Sequence, residues 1–133
     1  MKLIFIVLNV GLFLSTSSMG VVRSTPKTKS LIDAIIYVES RGDIKAHNIS
    51  EDAVGCLQIR PIMVREVNRL LGYNKYKLAD RWNKDKSIEM FNIIKDHTTN
   101  PTNEKLARNW NGGWNGYNKK STLKYWYKVK EQL

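Results

Sequence analysis

A carboxylic acid can protonate a leaving group near neutral pH only if its surroundings disfavour the anion. Glu39 is the acid whose neighbours suggest such surroundings. Ser30 with Asp33 three positions on reads as a helix N-cap. Apolar residues then follow at Leu31, Ile32, Ile35, Ile36 and Val38, and Arg41-Gly42 is a natural exit. Glu39 therefore falls in the last turn, with Ile35 and Ile36 at i−4 and i−3, so it extends the apolar face. Desolvation and the negative end of the helix dipole both penalise its charged form. The expectation is a carboxyl that keeps its proton towards neutral pH, as a general acid must; the competing reading is a solvated glutamate at a frayed helix end.

The residues downstream decide between these readings. Glu39-Ser40 is followed by Ala46, Asn48 and Ser50, then by Ala53-Val54-Gly55-Cys56-Leu57-Gln58-Ile59-Arg60-Pro61, and later by Ala107-Arg108-Asn109-Trp110-Asn111-Gly112-Gly113-Trp114. In this order the three blocks resemble the soluble lytic transglycosylases, the goose-lysozyme-like branch of the lysozyme superfamily. That family has a Glu-Ser pair, a Gly-Leu-Met-Gln-Ile-x-Pro block and a Tyr-Asn-Ala-Gly-Pro block. The resemblance runs from about Leu31 to Val129.

It implies an enzyme that cleaves peptidoglycan between N-acetylmuramic acid and N-acetylglucosamine without cofactor. Most glycosidases use two carboxylates. The family uses one Glu, first as acid and then as base towards the sugar's own 6-hydroxyl, leaving a 1,6-anhydro end. Glu39 takes that role here. Gln58 is expected in the saccharide cleft, where an amide can both donate to and accept from sugar groups; the alternative is an amide tying the loop to the helix. Asn48 and Ser50 are rival candidates for the small polar residue that contacts the reacting sugar. Asp43, Glu51 and Asp52 lie in the same loop, and a muramidase-type hydrolase of this fold would recruit one of them to position water. Ser40 is assigned support at the helix end.

The third block departs from the family. Trp110 stands where the motif has Tyr, so a phenol is replaced by an indole that can donate one hydrogen bond or stack on a sugar face. Asn111 matches the family's Asn and joins the substrate-binding candidates. Trp114 either lines the cleft or seals the core. Tyr125-Trp126-Tyr127 are read as packing residues of a final helix. His47 and His97 share no ligand spacing, so no metal is expected.

These residues need a frame. The fold expected is α+β and mainly helical, a lysozyme-like single domain with a short irregular or β insertion between the first two helices. Pro61 is placed to open the second helix, with Ile62, Met63, Val67, Leu70 and Leu71 as its apolar stripe and Gly72 as its end. A loop holding Trp82 leads to a third helix over about Lys86 to His97, with Ile88, Phe91, Ile93 and Ile94 inward. Asn100-Pro101 reads as the start of a fourth helix ending near Trp110. Asn111 to Gly116 is too glycine-rich for regular structure. A last helix covers about Ser121 to Glu131.

Residues 1–20 have the layout of a secretory signal peptide: Met1-Lys2, the apolar run Leu3 to Leu14, then small and polar residues to Gly20. An uncleaved anchor is the alternative. Residues 21–29 read as a flexible leader, and 30–133 as the domain. The expectation is an exported monomer, periplasmic or extracellular, with no stable membrane insertion after processing. Cys56 is the single cysteine, so no disulfide can form within the chain; it reads as a small buried hydrophobe rather than a nucleophile. The 133 residues carry a formal charge of +10. From Pro101 onward seven Lys or Arg face two Glu. That excess suits a polyanion. Peptidoglycan is the partner expected; nucleic acid is not, because an export signal works against it. A catalytically degenerate wall-binding domain is the reading from outside the enzyme class.

Overall fold

The structure, a computed structural model, describes residues 28–133. The proposed signal peptide and most of the leader lie outside the described residues. Lys29, the last leader residue, sits over the Tyr37 ring.

Five α-helices and one two-stranded antiparallel sheet make up the described chain: α1 (Leu31–Ser40), β1 (His47–Asn48), β2 (Ala53–Val54), α2 (Pro61–Leu71), α3 (Lys84–Asp96), α4 (Asn103–Gly112) and α5 (Leu123–Lys130). The mainly helical expectation with a small β insertion between α1 and α2 agrees with this order. None of these helices is long and apolar enough to cross a membrane.

Local chemistry accounts for most helix ends. Ser30 Oγ accepts from the Asp33 amide at 3.3 Å and donates to Asp33 Oδ2 at 2.6 Å, which orders the first turn of α1. Pro61 opens α2 and Gly72, at φ +79°, closes it. Asn83 caps α3 through the Lys86 amide at 3.0 Å, so that helix begins two residues before the expected position. The α4 start also differs. Thr102 is the cap, its Oγ1 accepting from the Lys105 amide. Asn100 instead adopts φ +49°, a conformation Asn tolerates, and turns the chain ahead of the helix.

The core gathers Ile35 and Ile36 of α1, Leu57 and Ile59 of the following loop, Val67 of α2, Met90 and Phe91 of α3, Ala107 and Trp110 of α4, and Val129 of α5. The inward stripe of α2 runs through Val64 and Val67 with Leu71 at its edge, a spacing of three and four residues. Ile62 falls off this stripe and is 61% exposed, which corrects its expected place in the core.

Candidate functional site

Glu39 ends up where α1, the β insertion and α4 meet. A polar cleft of about 210 Å³ opens there, lined by Glu39, Asn48, Glu51, Gln58 and Asn111, with Arg60, Met63 and Trp110 along one side. The hairpin brings Asn48 in by pairing it with Ala53, while His47 pairs with Val54. Ser50 is outside the lining; its hydroxyl donates to Asn48 Oδ1 at 2.8 Å and steadies that side chain. Of the two rivals, Asn48 is the one beside Glu39. Asp52 turns away to Arg81, and Asp43 accepts from the Lys45 amide at 2.8 Å. Glu51 alone of the three loop acids lines the cleft.

The Glu39 carboxyl is pushed up to about 7. Burial against the end of α1 is the largest cause. A hydrogen bond from Tyr125 and the Arg60 charge act in the opposite direction, and Glu51 adds a smaller upward push. The Tyr125 hydroxyl donates to Glu39 Oε1 at 2.7 Å. With Oε1 engaged, Oε2 is the oxygen left to carry and release a proton.

Tyr125 was expected only to pack, and its contact with Glu39 spans 86 positions of sequence. Its own ionisation is raised well above the usual range by burial and by the Glu39 charge beside it, so it stays a neutral donor. Replacing it with Phe removes the one hydrogen bond that, among the described residues, favours the Glu39 anion. A bond to a charged group is worth roughly 1.5–3 kcal/mol, so the Glu39 carboxyl in Tyr125→Phe is expected to titrate about one to two pH units higher. NMR titration of the labelled carboxyl reads this shift; an unmoved midpoint would refute the role assigned to the phenol.

The loop from Ala53 to Arg60 is fixed by side chains on both sides. The Ser40 hydroxyl donates to the Cys56 carbonyl at 2.8 Å and accepts from the Gly42 amide, joining the end of α1 to the loop. Gln58 has φ +49° and its amide nitrogen donates to the carbonyls of Ala46 (3.1 Å) and Gly55 (2.9 Å). Two carbonyl acceptors fix which end is nitrogen. Gln58 is therefore the loop tie, and what it offers the cleft is its carbonyl oxygen. Beneath the loop, the 3₁₀ turn Leu78–Trp82 presents Arg81. This buried guanidinium donates to the carbonyls of Asp52 (2.7 Å), Ile59 (3.1 Å) and Leu78 (2.9 Å). Sequence reading missed Arg81 because nothing local marks an arginine whose partners lie 22 and 29 residues away. Gly55 lets the two segments meet: a Cβ there would sit 2.0 Å from the Arg81 carbonyl oxygen.

Trp110 is 4% exposed; its indole N–H donates to the Leu57 carbonyl at 3.3 Å and its ring meets Phe91 edge-on, with centroids 5.1 Å apart. It is a core residue with one edge at the cleft, so the expected sugar-stacking face and free donor are not what it presents. Asn111 is exposed at the rim. Trp114 lines a separate, apolar groove beside the cleft. Cys56 is buried and burial raises its thiol, while the His47 ring packs edge-on against Trp82. Among the described residues no group of three or more His, Cys, Asp or Glu side chains could hold a metal.

Neither a family model, nor a curated protein, nor a solved structure matches the chain.

Proposed function

We propose that this chain is a lytic transglycosylase of lysozyme-like fold, exported to cut the glycan strands of peptidoglycan. One observation supports the reading: a carboxyl raised to about 7 in a cleft that also presents the amides of Asn48, Gln58 and Asn111, beside the acid of Glu51 and the Arg60 guanidinium. Protonated Glu39 gives its Oε2 proton to the oxygen bridging N-acetylmuramic acid and N-acetylglucosamine. The C1–O bond breaks with its electrons passing to that oxygen. The 6-hydroxyl of the same muramic acid then attacks C1, and its proton returns to Glu39. Acid and base are one residue, and water is not consumed. Asn48, Asn111 and the Gln58 carbonyl supply hydrogen-bonding groups of the kind acetamido and hydroxyl substituents require.

Digestion of purified peptidoglycan, followed by mass spectrometry of the new termini, tests this. The expected product carries 1,6-anhydro ends. Reducing ends would instead favour the muramidase-type hydrolase, for which Glu51 in the same cleft is the second carboxylate. A degenerate wall-binding domain would sediment with cell wall yet release nothing.

A further inference from the structure

Several cations of the described chain have acids beside them. Arg69 pairs with Glu66, Lys75 with Glu89, Lys86 with Asp80 and Arg108 with Glu104, at 2.6 to 3.5 Å. The last helix is different. Lys120, in the 3₁₀ turn Lys120–Thr122 that leads into α5, is followed by Lys124 and Lys128, all exposed. Intervals of four set them one above another in a row, with neighbouring Cβ atoms roughly 5–6 Å apart. Among the described residues none of the three forms a salt bridge, and neither does Glu131, just past the helix.

Local structure does not call for this row. Like charges at i and i+4 repel each other. Lys120 and Lys124 also stand at the N-terminal end of α5, where the helix dipole disfavours a cation, and its first turn holds no acid to offset them. Folding thus gathers positive charge on one outer face, a field that attracts a polyanion.

The rest of the helix restricts which polyanion fits. Val129 is fully buried, and Tyr125 and Trp126 pack against the core, so the apolar side of α5 is turned inward. Tyr127, 58% exposed, is the one large hydrophobic side chain that α5 shows to water. A helix that settles into a bilayer needs an outward apolar stripe. One that holds a single-stranded nucleic acid needs several aromatic faces for successive bases. The α5 face has neither. A row of ammonium groups asks only for anions repeated along a line, and lysine meets a phosphate as a point charge. A phosphodiester chain without bases supplies those anions.

We infer that the outer face of α5 is a docking surface for a linear phosphodiester polymer of the cell envelope, of the poly(glycerol phosphate) kind. The choice of an envelope polymer rests on the export proposed above. The face itself points away from Tyr125 and does not depend on what Glu39 does.

Fluorescence anisotropy of labelled poly(glycerol phosphate), titrated with the full chain, tests the inference without any cleavage step. The triple variant Lys120→Gln, Lys124→Gln, Lys128→Gln is expected to bind at least about tenfold more weakly. The fall of log affinity with log salt should become shallower by about two, the slope carried by three phosphate contacts. A second triple variant, Lys45→Gln, Lys84→Gln, Lys95→Gln, removes the same charge from other exposed positions. It is expected to stay within about twofold of the wild type. No measurable binding by the wild type, or an equal loss in both variants, would overturn the inference. So would tighter capture of oligothymidylate or of phosphatidylglycerol vesicles through the same three lysines, which would make the face a nucleic-acid or a membrane contact. Polymer binding by a protein that cleaves no glycan would keep this surface and remove the transglycosylase reading. Cleavage without polymer binding would do the reverse.

Discussion

Glu39→Gln is expected to lower glycan cleavage about a thousandfold, the middle of the range for removing a positioned general acid. The amide keeps the shape of the side chain but has no proton to give. The pH dependence has a definite sign. The first step needs the neutral acid, so activity should hold below pH 7 and fall as pH rises through about 7, where Glu39 ionises. Stability should move in the same direction. The folded carboxyl is raised from 4.5 to about 7, so the stability it contributes is fully present below 4.5 and lost as pH climbs through 7. That loss reaches about 3 kcal/mol. Urea unfolding should therefore find Glu39→Gln similar to the wild type at pH 4 and more stable at pH 9. Equal stability at both would mean that Glu39 is not desolvated, and the acid assignment would go with it.

Gly55→Ala is the substitution expected to harm the fold most. Gly55 has φ +79°, and the added methyl would press on the Arg81 carbonyl oxygen at 2.0 Å, a backbone atom that cannot step aside. Left-handed strain of roughly 1–2 kcal/mol adds to an overpacking cost of about 1–3 kcal/mol. The outcome is a loss of about 2–5 kcal/mol, a large fraction of what a domain this size holds. Gly72→Ala is the control. It has the same φ of +79° but nothing within 4 Å of its Cβ, so it should cost only the strain, about 1–2 kcal/mol. Urea midpoints that fall equally in both variants would show that the approach to Arg81 is not what demands glycine.

What could be read in advance was local. Ser30, Pro61 and Gly72 mark helix ends because a cap, a ring and a left-handed φ act within one turn. Glu39 was legible for the same reason, since Ile35 and Ile36 lie one turn away. Asn100 and Thr102 compete for one role within three residues, and the turn that leaves α3 decided between them. Sequence gives no sign that α5 lays Tyr125 against α1, because helical period names a face but not the neighbour it meets. Arg81 is hidden for a related reason: apart from the Asp52 carboxylate, its partners are main-chain carbonyls, which carry no residue identity. The Gln58 amide could be read either as a sugar ligand or as a loop tie, and a left-handed backbone beside two carbonyls gave its nitrogen to the loop.

The way the loop over Glu39 is held has a practical consequence. Arg81, Ser40 and Gln58 secure it with hydrogen bonds to main-chain oxygens, and the lone thiol of Cys56 is shut inside. No step of its assembly waits on an oxidant. The hydrogen bonds that hold the loop are therefore indifferent to whether the surrounding fluid is reducing or oxidising.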